Sequence, residues 1–111
     1  MSIITEWRPT ITAHQTRRAG KTLEELGELT AVFARIQIQA IDDVDPSSGK
    51  TNRQRMIDEI GDVLAQIELD IIAFDLSRYA IVKRKADKIA QMGEWESLLK
   101  QADCLKGAQN A

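Results

Sequence analysis

The chain has 111 residues, of which 43% are hydrophobic and 29% charged, with a formal net charge of −2 at neutral pH. That length fits one domain and excludes two ordinary ones, and the composition is normal for a soluble globular protein. The acidic balance gives no general attraction to nucleic acid or to an acidic membrane, so an anionic substrate needs a metal ion or a local basic cluster to hold it.

Residues 1–10 read as an arm, with Pro9 starting a helix or marking its first turn. This arm lacks a basic segment followed by a long apolar run, so no signal peptide is expected, and no stretch approaches the roughly 20 apolar residues of a membrane span. From about Ile11 to Ile41 apolar residues recur at helical spacing through Leu23, Leu26, Leu29, Val32, Phe33, Ile36 and Ala40. Gly20 either splits this run or kinks it. Residues 42–51 (DDVDPSSGKT) form the clearest loop. Thr51 is placed to cap a second helix with a stripe through Met56, Ile57, Ile60, Val63, Leu64, Ile67, Ile71 and Phe74.

Ser77 is a candidate cap or turn residue for a third segment, 78–91, and Gly93 punctuates it before a short helix carrying Trp95, Leu98, Leu99 and Leu105. The tail 107–111 (GAQNA) is expected to fray. Strand signals are nearly lacking. The expectation is an all-α fold, a bundle of about four main helices forming a single domain over 1–111, with 42–51 joining the two central helices. A chain this small gains from burial against a partner subunit. Its one cysteine, Cys104, cannot close an internal disulfide and fits a reducing, cytoplasmic setting. With no histidine partner indicated, Cys104 reads as a small apolar residue rather than a nucleophile.

Two segments read alike: Leu23-Glu24-Glu25-Leu26-Gly27-Glu28-Leu29 and Ile57-Asp58-Glu59-Ile60-Gly61-Asp62-Val63. Helical residues three apart share a face, so Glu25 pairs with Glu28, and Glu59 with Asp62. Both pairs lie beside the apolar stripes, where facing carboxylates are destabilising unless a cation neutralises them. A helical glycine costs about 1 kcal/mol against alanine. One in each motif predicts a close approach of two backbones, which would bring the four acids together. An oxygen-only donor set suits Mg²⁺, or Mn²⁺. The bland alternative is that these are solvated acids on helix surfaces.

At these residues the sequence resembles the MazG-like family of all-α nucleoside triphosphate pyrophosphohydrolases, whose motif is Glu-Glu-x-x-Glu on one helix and Glu-x-x-Asp on the next. Here those are Glu24-Glu25-Leu26-Gly27-Glu28 and Glu59-Ile60-Gly61-Asp62. The resemblance implies that Glu25, Glu28, Glu59 and Asp62 hold Mg²⁺. It also implies that Glu24 acts as an accessory acid orienting or activating the attacking water, with Glu25 a catalytic acid as well as a ligand. The implied reaction is hydrolysis of a nucleoside or deoxynucleoside triphosphate to the monophosphate and pyrophosphate, by a homodimer or homotetramer. Two departures stand out. The gap between the half-motifs is longer than in the family, and Asp87 stands a turn after Lys83 where the family often carries an asparagine that contacts phosphate.

Lys83, Arg84, Lys85 and Lys88 form one basic cluster and Arg17, Arg18 and Lys21 another. Lys83, Lys88 and Lys21 are the candidate phosphate ligands, against the alternative of solvated helix faces. Trp7 could stack on a base and His14 or Gln15 read its edge; the alternative for Trp7 is packing on the core. A di-iron carboxylate bundle fails on ligand count, because it needs Glu-x-x-His motifs and the one histidine, His14, has Ile11 three residues before it. Helix-turn-helix DNA binding is disfavoured by the net acidity. A non-catalytic helical oligomerisation or adaptor module with solvated acids is the remaining rival.

Overall fold

The computed structural model describes residues 4–110, and among these it is all-helical with three helices, α1 (Ala13–Arg35), α2 (Asn52–Ala73) and α3 (Arg78–Asn110). The chain divides between Leu76 and Ser77 into two units, one holding α1 and α2 and the other holding α3. No helix among the described residues is long and apolar enough to cross a membrane.

α1 begins after Pro9, at a capping box. The Thr12 hydroxyl accepts from the Gln15 amide N–H at 3.1 Å, and the Gln15 side-chain oxygen accepts from the Thr12 N–H at 2.9 Å. The Gln15 side chain also donates from Nε2 to the Ala73 carbonyl, 2.9 Å away, so the start of α1 meets the end of α2. The two helices are therefore antiparallel. Gly20 leaves α1 unbroken, and the helix ends at Arg35, short of the expected Ile41.

Residues 36–51 form a folded connection. Asn52, fully buried, donates from Nδ2 to the Ala40 carbonyl at 3.0 Å, while the Asn52 and Arg53 amides donate to the carbonyls of Asp43 and Ile41. The buried Asp45 carboxylate accepts from the Ser47 hydroxyl and the Ser48 N–H. Gly49 has φ +72°, the left-handed conformation a side chain would resist. Val44 and Thr51 form an antiparallel bridge that closes the connection. Thr51 caps α2 as expected, its hydroxyl accepting from the Gln54 N–H.

The α1–α2 seam buries Val32, Val63 and Ile71. It also carries a polar clamp in which Arg18 pairs with Asp70 and donates to Gln66, while the Thr22 hydroxyl donates to Asp70. Arg18 is thus an interhelical contact. Much of both stripes stays in solvent: Leu23, Leu26, Phe33, Ile57, Ile60, Leu64 and Ile67 are all exposed.

In the second unit, the Ser77 hydroxyl accepts from the Ala80 N–H and caps α3. α3 then continues through Gly93 without a break, merging the third and fourth expected helices, and takes in the 107–110 part of the tail expected to fray. The flanking good helix formers outweigh the roughly 1 kcal/mol cost of one glycine. The first three residues of the arm and Ala111 lie outside the described residues.

Candidate metal centre

The antiparallel pairing sets the acidic segments of α1 and α2 side by side. Glu25, Glu28, Glu59 and Asp62 each offer a carboxylate oxygen, and these four oxygens lie within 4.8 Å of one another. The spacing of three within each helix puts two on each facing surface, and the helix pairing brings the surfaces together. Glu25 is buried, Glu59 half-buried, and Glu28 and Asp62 open to solvent, so the cluster has a deep side and a wet side.

On the deep side, Glu25 Oε2 and Glu59 Oε2 are both buried with no hydrogen-bond partner. Buried polar atoms are almost always satisfied, and an orphaned carboxylate oxygen is among the costliest exceptions. The two orphans occupy equivalent positions of the duplicated motif. Burial pushes the Glu25 carboxyl above the ordinary carboxylate range. The hydrogen bond that protonated Glu25 donates to Glu28 adds to this, as do the charges of Glu28 and Asp62, while Lys21 opposes it. The donor set is all oxygen, converging and short of positive charge, which is the chemistry that fits a hard divalent cation.

The expected close approach of two backbones at Gly27 and Gly61 is not what brings the acids together. A Cβ built on Gly27 or Gly61 meets nothing within 4 Å, so no close backbone approach within the chain explains either residue. The acids converge because of the antiparallel register, set by the Arg18–Asp70 clamp and the ends at Gln15 and Ala73.

Around the four acids, Glu24 is exposed and outside the converging set, paired with Lys21 at 3.3 Å. Lys21 also reaches Glu25 at 3.5 Å and so stands on the α1 edge of the centre. Lys83 and Lys88 lie on α3, where Lys83 pairs with Asp87 at 3.1 Å and Lys88 donates to Gln91. Trp7 is 97% exposed in the segment before α1, which removes the core-packing alternative. His14 is exposed in the first turn of α1.

Lys50 belongs to no motif legible in the sequence, yet it stands beside the centre. Its ammonium sits 2.8 Å from Asp58 Oδ2, on the α2 edge of the centre, and its pKa is raised first by the hydrogen bond and charge of Asp58, then by Glu59 and Asp62. Asp58 in turn is held below the usual carboxylate range by Lys50 and by Gln54. The available signal was positional, since Lys50 immediately precedes the helix cap Thr51 and Asp58 lies within the first two turns of α2.

Compared with known protein families, with curated proteins and with solved structures, the chain finds no match.

Proposed function

We propose that the chain is a MazG-like nucleoside triphosphate pyrophosphohydrolase that uses Mg²⁺, or Mn²⁺, held by Glu25, Glu28, Glu59 and Asp62. The observation that carries this reading is the pair of buried, partnerless oxygens on Glu25 and Glu59 within a cluster of four converging carboxylates. A solvated acidic face, as in an adaptor module, has no reason to bury those two oxygens.

A bound divalent cation supplies positive charge to phosphate oxygens and makes water more acidic. The chain's residues do the rest. Glu25 and Glu59 fix the deep side, and Glu28 and Asp62 open the wet side to the triphosphate. Glu24, outside the four converging acids and paired with Lys21, is the proposed acid that orients water and takes its proton. Lys21 offers a cation for a phosphate oxygen, and Lys83 and Lys88 remain proposed contacts from α3. Trp7 and His14 are proposed base contacts. The products are a nucleoside monophosphate and pyrophosphate.

The exposed apolar residues of α1 and α2, including Leu26, Ile60, Leu64 and Ile67, support assembly as a homodimer or homotetramer, with each copy forming one MazG-like domain of a helical bundle. The proposed location is the cytoplasm.

The deciding experiment incubates the protein with Mg²⁺ and a panel of canonical and modified nucleoside and deoxynucleoside triphosphates, following monophosphate and pyrophosphate release. Turnover by the wild type and its loss in Glu59→Gln support the assignment. No cleavage of any nucleotide together with no Mg²⁺ binding overturns it and leaves the adaptor.

A further inference from the structure

We propose that Lys50, presented by the folded 36–51 connection, contacts the substrate's polyphosphate on the α2 edge of the carboxylate centre. This rests on the pyrophosphohydrolase reading above and adds to it a residue the MazG-like motif does not contain.

The connection is built as a platform for this residue. The Lys50 carbonyl accepts from the Asp45 N–H at 2.8 Å, and the Asp45 carbonyl accepts from the Gly49 N–H at 2.8 Å. Asp45 itself is buried and tied to Ser47 and Ser48, and the next residue, Thr51, is fixed both as the α2 cap and by its bridge to Val44. The backbone at Lys50 is therefore held on both sides, while its side chain remains 54% exposed. A fixed backbone lowers the entropy lost when the side chain engages a ligand.

The ammonium is anchored beside the centre without being consumed by it. It pairs at 2.8 Å with Asp58, the residue directly before Glu59, and Asp58 is not one of the four converging acids. An ammonium has three N–H donors. One is engaged by Asp58 and two remain for phosphate oxygens. Lys21 flanks the opposite, α1 edge, but its ammonium is shared between Glu24 and Glu25. Of the two flanking lysines, Lys50 thus has the greater capacity for a substrate anion.

Calorimetric titration of the full chain tests this, first with Mg²⁺ alone and then with inorganic pyrophosphate at saturating Mg²⁺. Lys50→Ala removes a cation from beside the acids, so Mg²⁺ affinity should stay level or rise while pyrophosphate affinity falls by about tenfold or more. Lys50→Arg should retain most of the pyrophosphate affinity. Lys100→Ala, which removes the same unit of charge from the second unit, should leave both affinities at the wild-type level. Pyrophosphate binding unchanged in Lys50→Ala overturns the proposal. So does an equal loss in Lys100→Ala, or a parallel loss of Mg²⁺ and pyrophosphate accompanied by a lower melting temperature. A wild type that binds Mg²⁺ but no pyrophosphate overturns the role of Lys50 alone, whereas a wild type that binds no Mg²⁺ overturns the enzymatic reading with it.

Discussion

Arg18 and Asp70 face each other across the α1–α2 seam, Nε to Oδ1 at 3.2 Å, with side chains only 15% and 17% exposed. Arg18 lies seven residues before Glu25, two helical turns along one face. The ion pair therefore sets the rotational phase of α1 in which Glu25 points at α2.

Breaking that pair on one side should cost more than removing it whole. Asp70→Ala leaves the Arg18 guanidinium largely out of water with one partner lost. The expected destabilisation is about 3 kcal/mol, the low end for a buried pair because some solvent reaches it. The double variant Arg18→Met with Asp70→Leu should recover most of that loss. Urea denaturation of the two variants against wild type measures both effects. A double variant no more stable than Asp70→Ala would contradict the account.

The crowding of Glu25 should show as a pH dependence of stability in metal-free protein. Its pKa is raised by burial first and by Glu28 next, so the folded chain binds this proton more tightly than the unfolded chain. Such a contribution is fully present below the unfolded pKa and is lost as pH rises through the folded one. Glu25→Gln, which stays uncharged, should accordingly melt above wild type at neutral pH, with the gap closing on acidification. Added Mg²⁺ should raise the wild-type melting temperature and leave that of Glu25→Gln nearly unchanged. Glu25→Gln melting below wild type at neutral pH without metal would refute the crowding.

Glu24 and Glu59 should separate kinetically. Glu59 belongs to the four converging acids and Glu24 does not. Glu59→Gln should lose Mg²⁺ affinity and turnover together. Glu24→Gln should keep Mg²⁺ affinity while turnover falls by about a hundredfold, the usual scale for losing a positioned general base. Equal Mg²⁺ binding by both variants, measured by calorimetry, would remove Glu59 from the proposed ligand set.

The 36–51 connection should behave as folded structure under mutation. Gly49→Ala meets no steric neighbour, so its effect is the backbone cost of a Cβ at φ +72°, about 1 kcal/mol. Asn52→Ala leaves the Ala40 carbonyl without its donor in a buried place and should cost about 1–3 kcal/mol. Denaturant midpoints read both, and a neutral Asn52→Ala would show that the connection is not pinned there.

Much of this fold was legible because its signals are local. Thr51 and Ser77 cap helices where the sequence placed them, and the spacing of the duplicated acids gave the face each pair occupies. The end of α1 was not legible. Ile36 and Ala40 continue the helical pattern, but Asn52 and Arg53, more than ten residues away, take up the Ala40 and Ile41 carbonyls and hold the chain in a different path. Lys50 escaped for a related reason. Its partner Asp58 lies eight residues on, and only the folded connection swings the lysine back over the first turns of α2. Gly93 misled in the opposite direction, since a local breaker signal was weaker than the helix formers around it.

The two tryptophans fall one to each unit, Trp7 in the segment ahead of α1 and Trp95 within α3, and both side chains face water. The chain therefore carries its own pair of optical reporters. Trp7→Phe leaves an emission that senses only the surroundings of α3, and Trp95→Phe one that senses only the N-terminal segment. A blue shift on raising protein concentration, or quenching on adding a nucleotide, can then be assigned to one half of the molecule without attaching a dye.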